Sequence, residues 1–461
     1  MILTLDLGTS STKATIWADN GPASHGQGEV PTTHPRPGWA EQDPADWWES
    51  VVEACQQLDS AALAAVEAVA FSTARETMAL VGGDRQPCGP AIVWSDRRAA
   101  SEAAQLAESL GESFLERTGV VVDAGSPQAK LAWLATHEPE RRRCARWVMA
   151  PRDVIVLRLT GQAVTDRTVA ARAGLIDRSG SPVPIAGALL PTVLEPTDVV
   201  GPAASEPSAA LGIPTGTPVI VGAGDRACEA LGTGTAPGGA MVSWGTTANV
   251  SLPATTFPDP APVGSTVSPG ALDGWLVEYG LSAAGAAIEW LGRLTGRTAV
   301  ELTAMMAGIE AGAAGVVAVP WLNGARAPWW QPNAQAAFFH LTSAHGPAHL
   351  ARALYEAVGF DIARGLESAG GADRVAAAGG GSASAPWLSL LAAVIDRPVV
   401  RRASSADAAS AGACLLAEPG FALDGINPVI QVVEPDPALF EAYRVARGRS
   451  DEACRAVLGV S

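Results

Sequence analysis

Two acids and three glycine/hydroxyl turns carry most of the chemistry this chain could do. Asp6 ends a short apolar run, Ile2-Leu3-Thr4-Leu5. Gly8 then permits a tight turn, Thr9, Ser10 and Ser11 fill it with small hydroxyls, and Lys13 opens a second run, Ala14-Thr15-Ile16-Trp17. A carboxylate at a strand tip can hold a hydrated Mg²⁺, and N–H groups and hydroxyls in the adjacent turn can cradle phosphate oxygens. An ordinary hairpin with an idle polar turn would look the same. Gly245-Thr246-Thr247 and Gly379-Gly380-Gly381-Ser382 also follow strand-like runs. Two phosphate-facing hairpins could hold a triphosphate between them, one built on Gly8, Thr9 and Ser10 with Lys13, the other on Gly245, Thr246 and Thr247. The strand-to-helix turn at Gly380, Gly381 and Ser382 would admit an adenine and ribose close to the backbone. No G-x-x-x-x-G-K-[ST] run occurs, so this is not a P-loop chain.

Asp225 follows the apolar run Pro218-Val219-Ile220-Val221. In a cleft between two domains it could take the proton of a substrate hydroxyl as that oxygen attacks a γ-phosphorus. It could also merely cap a helix beginning near Arg226. Arg75, Glu76 and Trp94 offer a bidentate donor, an acceptor and an aromatic face, which is what a polyhydroxyl ligand needs. Surface ion pairs and a core tryptophan would use the same residues. Arg226 either enters that pocket and adds a positive charge or points into the domain interface. His345 and His349 have a metal-like spacing, but Gly346 and Pro347 between them mark a helix N-terminus.

The elements that must position these groups alternate between strand and helix patterns, which predicts an α/β chain. Helices are expected from Asp43-Pro44 to Cys55, Ala99 to Leu110, Ser126 to Thr136, Ala283 to Thr295, Ala299 to Ala307, Ala348 to Ser368, Ala385 to Ile395 and Ala408 to Ala417. Strands are expected near Val66–Ser72, Met78–Val81, Ile92–Trp94, Pro218–Val221, Ala240–Ser243, Asn249–Leu252, Val316–Pro320 and Val375–Ala378. Residues Arg178 to Gly216 should be irregular with short helical pieces, and the tail after Pro428 should be one or two surface helices. Strand, Gly/Thr turn and strand recur near Ala240, hinting that two halves share one architecture. At 461 residues two domains are the natural expectation, divided as 1–227 and 228–461.

Hydrophobic residues make up 48% and charged ones 17%, which fits large cores rather than disorder. The net charge of −16 opposes nucleic-acid and anionic-membrane partners, while leaving local phosphate binding possible. The only lysines are Lys13 and Lys130, with Arg used elsewhere. Six cysteines without a C-x-x-C pair suggest neither zinc nor a disulfide framework, and no signal peptide or spanning segment is read. A cytoplasmic protein, open to forming a homodimer, is expected.

The ordered motifs resemble the FGGY carbohydrate kinases, relatives of actin and hexokinase, essentially end to end. "DLGTSSTK" resembles the family's first phosphate motif, and "PGWAEQDPADWW" and "AIVWSDRRA" are similar to its N-domain segments. "GSPQAKLAWLATH" resembles the first family signature, and "GAGDRACEALGTG" holds the position of the catalytic Asp, here Asp225. "SWGTTANV" resembles the second phosphate motif, and "WLNGARAPWWQPNAQAAFFHL" the second-domain loop. "GGGSAS" and "DAASAGAC" resemble the adenosine segment and the helix after it. The resemblance implies two RNase H-like domains with ATP and substrate meeting in the cleft between them. It implies Asp6 and Asp225 at a Mg²⁺ site, Asp225 as base, and ATP-dependent transfer to a small sugar or polyol. A ketopentose such as xylulose leads, with glycerol or another short polyol as alternative. "ARET" resembles the Arg-Glu pair of glycerol kinases, but their aromatic before the Lys130 helix is replaced by Ala124-Gly125, and their Gln after the base by Arg226. The Met-His pair of xylulokinases is absent, and His340 stands where a Gly is usual. A non-catalytic sugar or nucleotide sensor on the same fold would not need both Asp6 and Asp225.

Overall fold

The computed structural model describes residues 1–184, 189–281, 284–331 and 333–459. The opening hairpin forms as expected from Ile2–Leu7 and Ser11–Ala18, and Gly21–Glu29 extends it. On its other side Ile2–Leu7 pairs in parallel with Ala68–Thr73, which pairs in parallel with Pro218–Ile220. Val199–Pro202 closes that edge antiparallel. Ala68–Thr73 is buried at all its positions, as a central parallel strand covered on both faces must be. The second sheet repeats the order with Trp275–Leu281, Ala248–Ala254, Ala240–Trp244, Val375–Ala378, Val399–Arg402 and Val429–Val433. Its pairings are antiparallel and parallel in the same places, and Thr266–Pro269 adds one further strand at the edge. The restart at Ala240 is therefore a repetition of the sheet, and the chain is a two-domain α/β fold.

The helices form where local chemistry starts them. Asp43 caps Pro44–Gln56 by accepting from the Ala45 N–H, and Pro44 sits where a missing N–H costs nothing. This helix buries Trp47, Trp48, Val51, Ala54 and Cys55. It lies directly on the strand Gly21–Glu29, where a Cβ on Gly26 would stand 2.0 Å from the Ala54 carbonyl oxygen and one on Gly28 2.1 Å from that of Ser50. The expected helices at Ser126, Ala299, Ala348, Ala385 and Ala408 appear as Pro127–His137, Ala299–Met306, Pro347–Ser368, Ala385–Ile395 and Ala408–Ala417. That near Ala283 runs Gly285–Thr295, Ala283 itself lying outside the described residues.

Several expectations are corrected. Only Ala91–Ile92 is strand, so Trp94 lies in a loop. The helix expected to end at Leu110 continues as Ala100–Thr118 past a break at Gly111, whose φ of 61° leaves the helical region. The segment expected to be irregular carries Thr192–Leu194, Val199–Pro202 and the helix Ser205–Leu211, with 185–188 outside the described residues. The tail first supplies the edge strand Val429–Val433 and only then the helix Pro437–Leu458. Cys88 and Cys144 are disulfide-bonded, with Cα atoms 6.1 Å apart. Antiparallel pairing of Ala79–Gly82 with Ala145–Met149 brings them together, a proximity that a separation of 56 residues hides. The other four cysteines are free and buried. Among the described residues no helix is long and apolar enough to cross a membrane.

Two helices cross between the sheets. Asp225–Thr233 and Ala408–Ala417 approach so closely that a Cβ on Gly232 would stand 1.9 Å from the Ala408 carbonyl oxygen, and one on Gly412 1.9 Å from that of Cys228. Ala408–Ala417 also packs on the first sheet, where Ser410 Oγ lies 2.6 Å from Thr4 Oγ1 and accepts from Trp17 Nε1 at 3.0 Å.

Candidate active site

Strand register sets the first cluster. Lys13, Asp6, Ser72 and Ala223 stand side by side across the first sheet. Asp225, two residues beyond Ala223, therefore opens at the same end as the first turn. Burial pushes the Asp6 carboxyl up; Ser72 and Lys13 pull it back, while Asp225 and Asp407 push it further. Lys13 reaches Asp407 at 2.7 Å. Burial works against its charge, but Asp407, Asp6 and Glu229 outweigh that and the ammonium's pKa rises.

The three turns are held in different ways. In the first, Gly8 N–H donates to the Ser11 carbonyl at 3.0 Å and Val30 N–H to that of Ser10 at 2.9 Å. Gln42 Nε2 donates to the Thr9 carbonyl at 2.7 Å, and Trp94 Nε1 to Thr9 Oγ1 at 2.8 Å. In the second, Gly245 N–H donates to Thr247 O at 2.9 Å, and the start of Gly285–Thr295 donates back through Gly285 to Gly245 O and Ala286 to Thr246 O, at 2.8 and 3.0 Å. The third turn packs on the strand leading to the second. A Cβ on Gly381 would stand 1.9 Å from Trp244 Cδ1, and Gly379, at φ 75°, leaves room for the Trp244 carbonyl. The Ser382 hydroxyl donates to Gly379 O at 2.7 Å and so fastens its own turn. A Cβ built on Gly245 or Gly380 would meet nothing within 4 Å, so both turns face open space.

Asp225 is the first residue of its helix. Its Oδ1 lies 2.8 Å from Arg75 Nε, while Arg75 Nη1 and Nη2 each donate to an oxygen of Glu278 at 2.7 Å. Burial works against the Glu278 carboxylate, but Arg75 prevails and holds it at about 2. Glu76 has a left-handed backbone, φ 66°, which is uncommon for a residue with a side chain. Its carbonyl accepts from Lys130 Nζ at 2.9 Å, and its carboxylate pairs with Arg172 Nη1 at 3.0 Å. Lys130 is fully buried, and burial brings its ammonium down to about 8 against the pull of Glu76, Asp96 and Asp123.

Arg75, Glu76 and Asp225 thus fall in one cluster, with the Arg75 guanidinium engaged by two carboxylates. Trp94 reaches the first turn through Thr9. Arg226 turns the other way. Its Nη1 donates to Ser243 Oγ at 2.5 Å and pairs with Glu229, and its Nη2 lies 3.8 Å from Asp225 Oδ2. His345 Nδ1 and His349 Nδ1 accept from Thr342 N–H and Gly346 N–H where Pro347–Ser368 begins, in keeping with a helix start. Sequence reasoning did not single out Glu278, Arg172, Glu229 or Asp407. Glu278 did leave a trace, as the lone acid in Trp275-Leu-Val-Glu-Tyr-Gly-Leu. A charge buried in such a run requires a partner.

Both halves of the chain have known relatives. Residues 1–232 match the N-terminal domain, and residues 240–418 the C-terminal domain, of the FGGY family of carbohydrate kinases. A xylulose kinase of Escherichia coli K12 is 30% identical over 471 residues, covering 97% of each chain. A glycerol kinase of Cereibacter sphaeroides is 33% identical over 448 residues, 88% of this chain and 89% of its own. The crystal structure of xylulose kinase from Rhodospirillum rubrum superposes with a TM-score of 0.86 at 28% identity, covering 99% of this chain and 98% of that one. With two repeated sheets, a pair of glycine/hydroxyl hairpins and both family halves matched in order, this chain belongs to the FGGY family and is an ATP-dependent carbohydrate kinase.

Proposed function

We propose that this kinase phosphorylates a ketopentose such as xylulose on a terminal hydroxyl, with Asp225 as general base. The observation that carries the reading is the Arg75 Nε–Asp225 Oδ1 contact of 2.8 Å, which aims a carboxylate from a helix start at the junction of the two halves. A base so held takes the proton as the hydroxyl becomes a nucleophile. Glu76 and Trp94 border the sugar, and Arg75 fixes the acid beside it. The xylulose kinase relatives support the ketopentose. The glycerol kinase relatives and the Arg75-Glu76 pair support a short polyol as the competing substrate.

The residues fit ATP with a hydrated divalent ion. The turns at Gly245 and Gly380 have open space where a side chain would intrude. Asp225 adds to the cost of ionising buried Asp6, which a cation beside Asp6 would relieve. Among the described residues no three acidic, His or Cys groups form a ready cage, so the ion would keep water and phosphate ligands, as Mg²⁺ prefers. When bound, ATP supplies the transferred γ-phosphoryl group. Gly8, Thr9, Ser10 and Lys13 and Gly245, Thr246 and Thr247 would hold its phosphates, and Gly380, Gly381 and Ser382 would border its adenosine. Domains of 1–227 and 228–461, a cytoplasmic setting and homodimer formation belong to the same reading.

The test is ADP release across a panel of ketoses, polyols and sugar acids, with Asp225→Asn beside the wild type. Xylulose should give the highest kcat/KM, and the variant should lose roughly 10²–10⁴-fold in kcat while still binding ATP. Turnover by Asp225→Asn close to wild type would remove the base assignment. A clear preference for glycerol would replace the substrate.

A further inference from the structure

One residue of the second sheet completes the site of the first half. Glu278, on Trp275–Leu281, has a side chain only 2% exposed, and its two oxygens take both terminal nitrogens of Arg75, 203 positions away. Arg75 Nε lies 2.8 Å from Asp225 Oδ1, an ion pair on the edge of the guanidinium beside the one Glu278 holds. A guanidinium is a rigid planar fork, so pinning two of its nitrogens fixes the direction of the third. Glu278 is itself braced from its own sheet. Ser268 Oγ donates to its Oε1 at 3.0 Å and Asn249 Nδ2 to its Oε2 at 3.4 Å. The chain from Ser268 and Asn249 through Glu278 and Arg75 to Asp225 thus crosses from one half to the other. A backbone bond crosses beside it, with Val267 N–H donating to Gly119 O at 2.7 Å. That approach requires the glycine, since a Cβ at residue 119 would stand 2.3 Å from the Val267 carbonyl oxygen.

We propose that Glu278 is a positioning residue for phosphoryl transfer, holding Arg75, and through it Asp225 Oδ1, in place only while the two halves face each other as they do here. The inference rests on Asp225 being the base. Its physical content is a coupling. If the halves part, Arg75 loses the carboxylate that orients it, and the base is no longer fixed. Proton abstraction is then confined to the arrangement in which the two halves meet as they do here.

The experiment uses the full chain as Glu278→Gln, Glu278→Asp and Asp225→Asn, with the preferred sugar of the panel. Glu278→Gln keeps the shape but loses the charge that grips Arg75. Its kcat should fall about 10–100-fold, the range expected for a displaced reacting group, with sugar KM and the Kd of a non-hydrolysable ATP analogue each within about threefold of wild type. Glu278→Asp should recover part of that loss. Amide exchange at Val267 in the presence of sugar and ADP should be faster in Glu278→Gln than in wild type. A kcat for Glu278→Gln within about twofold of wild type would overturn the proposal, as would a kcat loss matched by an equal fall in the fraction of protein that binds the ATP analogue, the mark of misfolding. Asp225→Asn separates the two ideas. If it is inactive while Glu278→Gln is normal, the positioning role alone fails. If it turns over normally, the base reading fails and the positioning role with it.

Discussion

The glycine/hydroxyl turns at Gly8 and Gly245 end equivalent hairpins, yet they are braced by different means. The first is gripped at its own residues, by Trp94 on the Thr9 hydroxyl and by Gln42 on the Thr9 carbonyl. The second is held at its own residues by backbone N–H groups of Gly285 and Ala286, and its side-chain support comes through the strand that leads to it. Ser243, two residues before Gly245, donates to Glu229 Oε1 and accepts from Arg226, both on the helix that Asp225 opens. One turn is therefore tied to Trp94, proposed to border the sugar, the other to the helix that opens on Asp225, the proposed base. The repeated sheet thus carries two hairpins whose side-chain supports come from different elements.

The largest effect should come from cutting the support of the second turn. Arg226→Ala leaves Glu229 buried without its cation, with only the Ser243 hydroxyl still donating to it, and burial already pushes that carboxyl up. Urea unfolding should show a loss of about 3 kcal/mol, the low end for breaking a buried pair. A stable variant with normal ATP KM would mean that the second turn does not depend on this support. Next in size, Gly381→Ala places a methyl group against the Trp244 indole. The expected overpacking loss is about 1–3 kcal/mol, with a raised ATP KM and an unchanged sugar KM. If the sugar KM moved instead, the third turn would belong to the first half's pocket. The smallest effect should come from Trp94→Phe, which removes a single hydrogen bond to Thr9 while keeping an aromatic ring. A cost of about 1 kcal/mol corresponds to a roughly fivefold loss in kcat/KM. That loss should appear against both sugar and ATP, because the bond links Trp94 of the proposed sugar site to Thr9 of the proposed phosphate turn. A loss confined to ATP would break the comparison with the second turn.

The sheets were legible in the sequence where apolar runs ended on small turn residues. The hairpin at Asp6, its repeat near Ala240 and the helix after Gly381 all announce themselves in this way. Edge strands did not. Val429–Val433 has three exposed positions and no buried one, so it lacks the alternation that marks a half-buried strand. Val199–Pro202 lies in a Pro- and Gly-rich stretch that reads as loop. For the site, residue types at strand ends pointed to Asp6, Asp225 and the turns. The partners that aim them were hidden, because Glu278 and Asp407 come from distant segments and meet Arg75 and Lys13 only in three dimensions. Arg226 shows the same limit, since sequence left two directions open and only the packed helix turns it toward Ser243.

The crossing helix Ala408–Ala417 has a consequence for how the protein is made. Ser410 is the partner of Thr4 and Trp17, and Ile2, Trp17, Ala70 and Ile220 share an apolar cluster with Ala409, Ala411 and Ala413. During synthesis the first sheet emerges from the ribosome long before the helix that covers this face exists. Until nearly nine-tenths of the 461 residues have been translated, the nascent first half carries an unclosed apolar surface, and the finishing contact joins the oldest part of the polypeptide to some of the newest.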